Sequence, residues 1–376
     1  MKILYNVFLL LLLPIIGYLQ EVTTLATLTA NGGVTLDSVG NLYVAHFGPL
    51  PPNPAIGRNI YKVTPAGAVS LFVNDELRVG SGNSIAGGFL YQSNFAANVI
   101  YQIDLEGNIL NPNYATVAGP VGIATGPDNS LYVCSCVDGA VKKITPDGDV
   151  TNFATGSFFA CANGITIDDD GNLYTTNFSD GRITKITASG NAETIGSTPV
   201  GNGHITYRAA DQMLYIASYS GHQIFKMDLV GNATLFAGTG AVGAIDATNP
   251  LEATFNRPNG IEISPDGCSL YVTQDNDVIR EIKFGDTACL SNVQNLDENP
   301  YLKLYPNPTT GKIIFENLSD VLITSISIFD VKGNVVMKMS LKKDGVIDVS
   351  RLSPGTYIVL MKDKAGDMYH KKMILE

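Results

Sequence analysis

"GNLYTTNFSDGRITKI" (Gly171–Ile186) places two short alternating apolar runs on either side of a Ser-Asp-Gly turn, which reads as a β-hairpin. Nearly the same hairpin appears as "GNLYVAHFG" from Gly40, "NSLYVCSCVDGAVKKI" from Asn129 and "QMLYIASYSGHQIFKM" from Gln212. Aligned on the Leu-Tyr pair, the copies place Tyr43, Tyr91, Tyr132, Tyr174, Tyr215 and Tyr271 in register, 48, 41, 42, 41 and 56 residues apart.

A repeat near 41 residues is the length of one four-stranded sheet with its turns, the unit of a β-propeller. Each copy supplies an apolar strand (Gly164–Ile167), an Asp/Gly turn (Asp168–Asn172), the tyrosine strand (Leu173–Thr176) and an alternating strand (Arg182–Thr187). A more polar fourth strand, "NAETIGS", follows. The sixth copy ends after its third strand, "DVIREIKF". The missing strand is expected from "EVTTLATL" (Glu21–Leu28), which resembles the fourth strands "VSLFVN" and "ATLFAGTG". Pairing the two ends removes an open sheet edge. The expectation is an all-β chain: a six-bladed β-propeller closed by an N-terminal strand, residues 21–290.

Composition agrees with this reading. Among 376 residues there are 38 glycines, 17 tyrosines and no tryptophan, a balance that favours turns and strands. The net charge is −11, and residues 297–376, with 11 Lys+Arg against 10 Asp+Glu, carry none of the acidity. The front part therefore bears about −12 and repels phosphate backbones, so no nucleic-acid partner is expected. Residues 1–20, "MKILYNVFLLLLLPIIGYLQ", read as a secretory signal peptide whose apolar run is short for a membrane span. An uncleaved anchor is the alternative, and no span is expected in the mature protein. Export would let disulfides persist among five cysteines, an odd number that leaves one thiol over.

"LFAGTGAVGAIDATNPLEATFNRPNGIEISPDGCSLYVTQDNDVIREI" (Leu235–Ile282) resembles an NHL repeat, with its F-A-G-x-G, its F-N-x-P-x-G-I and its D-G-x-L-Y-V hairpin. The resemblance extends over about residues 21–286 and implies the propeller fold more strongly than any one activity. Where that family has Asp three residues after the hairpin tyrosine, this chain has His46, Asn94, Ser135, Asn177, Ser218 and Gln274.

After a polar linker (residues 291–300), residues 301–376 read as about seven short strands of a small, immunoglobulin-like β-sandwich. Tyr305-Pro306-Asn307-Pro308, Thr310-Gly311, Asp330 with Gly333, and Leu352-Pro354-Gly355-Tyr357 come in the order of the type IX secretion C-terminal sorting domain of Bacteroidota, which this segment closely resembles. The resemblance implies Sec export, the type IX secretion machinery as partner, and a secreted or outer-surface location.

In a propeller, ligands bind at the channel mouth, on the face formed by the loops between fourth and first strands and between second and third. The candidates there are the amides Asn83, Asn94, Asn163, Asn177, Asn259 and Gln274. Gluconolactonase-like propellers hold a divalent cation with a Glu, an Asp and Asn residues at first-strand starts. This chain offers amides at such positions and no carboxylate, so no metal cofactor is expected. The alternative is Ca2+ or another divalent cation on Asn163 and Asn259. His46, His204 and His222 are the candidate acid–base residues of a hydrolase or lyase. An amide-rich mouth favours instead a binding module for a neutral polar ligand of carbohydrate type. "GTGAVG" (Gly238–Gly243) spells G-x-G-x-x-G, but no helix pattern follows, and it reads as the NHL loop. The run Asp168–Asp170 reads as a solvated turn. On the blade geometry, bridges are expected for Cys136–Cys161 and Cys268–Cys289, with Cys134–Cys161 as the competing choice.

Overall fold

The structure is a computed structural model describing residues 20–48, 57–199, 201–285, 289, 302–317, 323–330, 335–340, 345–363 and 368–376. Most of the expected signal peptide, the whole linker and Gly333 lie outside these residues. The chain divides into two compact units, Met1–Asp286 and Thr287–Glu376.

Unit one contains six four-stranded antiparallel sheets. Five are built from consecutive strands. The sixth joins Pro258–Ile263, Ser269–Gln274 and Val278–Lys283 to the N-terminal strand Glu21–Thr27, which pairs antiparallel from Glu21↔Lys283 to Thr27↔Val278. The first strands of the sheets are Val34–Leu36, Gly80–Ala86, Pro120–Thr125, Ala162–Ile167, Asn202–Arg208 and Pro258–Ile263. They lie side by side in that order, and the sixth lies beside the first. All but one carry a bulge against the second strand, bracketed by Gly80/Asn83, Pro120/Ile123, Ala162/Ile165, Asn202/Ile205 and Pro258/Ile261. Each bulge contains a residue of a common column: Gly82, Gly122, Gly164, His204 and Gly260. Gly33 stands at the corresponding place in the first sheet.

These glycines answer a distance requirement. A methyl group on Gly33 would lie 2.6 Å from Gly82 Cα, one on Gly82 2.8 Å from Gly122 Cα, and one on Gly164 2.5 Å from His204 Cα; one on Gly260 would strike the Gly32 carbonyl. Backbone meets backbone at these glycines, so a side chain at any of them forces the strands apart.

The hairpin tyrosines seal the sheets further out. Leu42, Leu90, Leu131, Leu173, Leu214 and Leu270 are buried, and so are Tyr43, Tyr174 and Tyr215. Tyr43, Tyr132 and Tyr215 meet Phe72, Phe153 and Phe236 of the fourth strands edge to face, at 4.8–4.9 Å between centroids. Tyr174 Oη donates to Asp168 Oδ2 at 2.9 Å. Asp168 also accepts from the Asp170 and Asn172 amides and is buried, so of the run expected to be solvated Asp168 is instead the covered acceptor of an Asx turn, while Asp169 and Asp170 are exposed.

In unit two, Leu302–Tyr305, Lys312–Asn317 and Gly345–Asp348 form one sheet. Val335–Ser340, Ile323–Asp330, Gly355–Asp363 and Met368–Leu375 form another. Phe315 and Ile347 from the first sheet share one core with Ile326, Val359 and Met373 from the second.

Cys136 and Cys161 form a disulfide, Cys268 and Cys289 are disulfide-bonded as well, and Cys134 is a free, buried thiol. Burial also raises the Cys134 thiol pKa and suppresses its thiolate. Two outcomes are expected. Thiol titration without reductant should find no reactive thiol in the folded chain and one per chain after denaturation. Gly164→Ala should lower stability by about 2 kcal/mol or more in urea unfolding, as overpacking against immobile backbone does.

Candidate ligand site

One cavity of about 200 Å3 lies at the axis, lined by residues from all six repeats. Its construction follows from two columns of the repeat. The inner column is the residue just before the axial one, at the start of each first strand: Ser81, Val121, Asn163 and Asn259 line the cavity, while Gly32 and Gly203 at the equivalent places contribute no side chain. The outer column is the residue four places after each hairpin tyrosine. There Phe47, Phe95, Cys136, Phe178 and Tyr219 line the cavity. Phe47 packs on Phe95 and Phe178 on Tyr219, at 6.4 and 5.8 Å between centroids. The Cys136–Cys161 disulfide lies between the two pairs in the sequence of repeats and also lines the wall.

Of the residues named from the sequence, Asn163 and Asn259 come together in this cavity. Asn163 Nδ2 donates to Asn202 O at 2.9 Å, and Asn259 Nδ2 to Asn31 O at 2.7 Å. Each amide thus spends one N–H on the backbone of the next repeat. A second N–H and a carbonyl oxygen remain to serve a ligand.

The other amides fasten backbone. Asn83 is buried and donates to Tyr43 O at 3.1 Å. Asn83 pairs with Gln92 as Ile165 pairs with Thr175, so Ser81, two residues earlier, stands at the place equivalent to Asn163 and Asn259. Asn94 Oδ1 accepts from Arg78 N, Asn177 Nδ2 donates to Phe158 O, and Gln274 Nε2 donates to Gly243 O and Asn276 Oδ1. All three side chains are fully buried, each fastening the loop that precedes its own sheet.

The histidines occupy three different settings. His46 is buried and its pKa is lowered by that burial, against the pull of Asp277. His204 projects into the axis, its Cε1 standing 3.2 and 3.1 Å from the positions a methyl group would take on Gly33 and Gly82. Burial lowers its pKa to about 4, so it is neutral at physiological pH. His222 Nδ1 accepts from Arg257 N at 3.0 Å, which fixes the neutral tautomer; burial and then Arg257 lower its pKa. His222 and Arg257 both adopt left-handed backbone conformations, with φ of 56° and 49°. Among the described residues, no group of three or more His, Cys, Asp or Glu converges in a metal-binding arrangement.

In the first, second and fourth repeats the sequence reading stopped at His46, Asn94 and Asn177, one residue before the wall residues Phe47, Phe95 and Phe178. The wall residues were legible as a column of Phe, Phe, Cys, Phe, Tyr and Asp directly after the column it singled out. That column is mostly aromatic at places where a plain turn would be polar.

Residues 57–221 match the Virginiamycin B lyase family, and residues 303–376 match the secretion system C-terminal sorting domain. An endo-acting ulvan lyase from Formosa agariphila is 27% identical over 88 residues; the match takes in 22% of this chain and only 17% of that protein's length. Among solved structures, an auxiliary nutrient binding protein from Bacteroides ovatus has a TM-score of 0.59 at 14% identity, with 70% of this chain and 76% of that one covered. A gluconolactonase from Xanthomonas campestris has a TM-score of 0.53 at 14% identity, with 70% and 89% covered. A virginiamycin B lyase from Staphylococcus aureus has a TM-score of 0.50 at 20% identity, with 70% and 99% covered. At such identities the likeness speaks for fold alone. The chain is a β-propeller followed by a type IX secretion sorting domain, which indicates export to the cell surface or the extracellular space. Among the described residues no helix is long and apolar enough to cross a membrane.

Two desolvated groups give the fold opposed pH dependences. The depressed His204 pKa stabilises the fold above its unfolded value of 6.5, and that contribution falls away as pH drops toward about 4. Burial raises Glu262, which accepts from Thr206 Oγ1 at 2.8 Å, from 4.5 to about 7; its contribution is greatest below 4.5 and is lost as pH rises through 7. Melting temperatures of the Glu262→Gln variant relative to the parent should therefore increase from pH 5 to about pH 7 and level off by pH 8. A difference independent of pH would contradict the assignment.

Proposed function

We propose that this secreted propeller is a binding module for a small polar ligand of the neutral, carbohydrate type. In this reading residues 1–20 are a signal peptide, and residues 21–290 a six-bladed NHL-type propeller closed by its N-terminal strand. Residues 291–300 are a linker, and residues 301–376 an immunoglobulin-like sorting sandwich. The observation that carries the function is the pairing of two half-free amides, Asn163 and Asn259, with an aromatic tier. A sugar offers the complement of both: hydroxyls that donate and accept, and C–H faces that pack on Phe and Tyr rings.

The experiment is a screen of the purified chain against sugars and lactones by calorimetry. A bound sugar should lose about tenfold in affinity or more in the Asn163→Ala/Asn259→Ala variant, with the fold retained by circular dichroism. A divalent cation that stays through dialysis, together with lactone turnover, would replace this reading with that of a gluconolactonase-like hydrolase.

A further inference from the structure

The outer column of the cavity has six places, five of them uncharged. The sixth is Asp275, four residues after Tyr271. Its carboxylate stands behind two residues that line the cavity. Asn31 Nδ2 donates to Asp275 Oδ1 at 2.7 Å, and Tyr219 Oη lies 3.5 Å from Oδ2. Asn31 is itself locked, donating to Gly48 O at 3.0 Å and accepting from Gly48 N at 2.9 Å, so the carboxylate is held in advance of any ligand.

The two oxygens are served unequally. Oδ1 has a short, strong donor. Oδ2 has the tyrosine hydroxyl at 3.5 Å and Arg257 Nη1 at 3.6 Å, both at or beyond the limit of a useful hydrogen bond. Arg257 is 55% exposed, and its guanidinium carbon also lies 5.9 Å from the Tyr219 ring centroid. A loosely held cation thus already rests against both the carboxylate and an aromatic face.

We infer that the cavity takes a ligand bearing a cationic amine, whose ammonium replaces the Arg257 guanidinium at Asp275 Oδ2 and lies against the aromatic tier. This rests on the binding reading and keeps its polar, hydroxylated ligand but replaces the neutral charge with a positive one: the ligand is an aminated polar molecule, with hydroxyls for Asn163 and Asn259. Three features favour a cation. Aromatic faces attract positive charge. Asp275 is the anionic member of the column and has an oxygen without a close donor. The front part of the chain, at about −12, draws cations and repels anions.

The test uses choline and its uncharged carbon isostere, 3,3-dimethylbutan-1-ol, titrated into the full chain at low salt. Choline should bind about tenfold more tightly than the alcohol. Asp275→Asn, which keeps the shape, should reduce that ratio to about one. Arg257→Gln should raise it, because it removes the competing cation. Opposite effects of these two substitutions separate recognition of the ammonium from general damage to the loop. Equal binding of the two probes, or preference for the alcohol, overturns the amine and leaves the binding reading standing. Binding of neither also overturns the amine, and a sugar screen without hits would then remove the binding reading too.

Discussion

The propeller depends on how closely six strands can approach one axis. Gly33, Gly82, Gly122, Gly164 and Gly260 each bring a strand within backbone contact of its neighbour, and no other residue type fits that spacing. The bulges supply the bend that turns each strand toward the centre. His204 is the exception that completes the set, since its imidazole fills the space that the facing glycines leave open. From this packed axis everything else is set outward. The residues before the axial column form the cavity floor, the leucines and tyrosines of the hairpins seal the sheets against one another, and the exposed fourth strands form the rim.

The floor is therefore as rigid as the axis, whereas the wall rests on loops. Those loops are held by buried polar side chains: Asn94, Ser135, Asn177 and Gln274 all point back into the loop preceding their sheet. A buried amide fixes a loop well because it satisfies backbone groups that would otherwise be desolvated without a partner. The same engagement withdraws these amides from the cavity. A residue type suited to ligand contact has been used to build the place where the ligand sits.

This explains which parts of the molecule were legible in the sequence. The Leu-Tyr hairpins repeat because each faces the same packing problem, so period, strand order and the contribution of Glu21–Thr27 could all be read from residue patterns. The site was harder. Asn83 and Asn163 look equivalent when strands are aligned by eye, but Asn83 pairs with Gln92 as Ile165 pairs with Thr175, so it lies beyond the bulge and Ser81, within it, takes the place. Bulges leave no mark on alternation beyond a glycine, and glycines are everywhere in this chain. Asp168 likewise looked solvent-facing in its acidic run, and only the tyrosine hydroxyl above it shows why it is covered.

The pairing of Glu21 with Lys283 spans almost the whole first unit, which sets the order of events during biogenesis. Five sheets contain only neighbouring stretches of chain and can form as those stretches emerge, on the fast timescale of local hairpins. The sixth must wait for its third strand while the earliest segment stays unpaired, so ring closure is the step of highest contact order and largest loop-closure entropy. Any polypeptide threaded through a membrane from its N-terminus cannot close such a ring until nearly the entire propeller has passed.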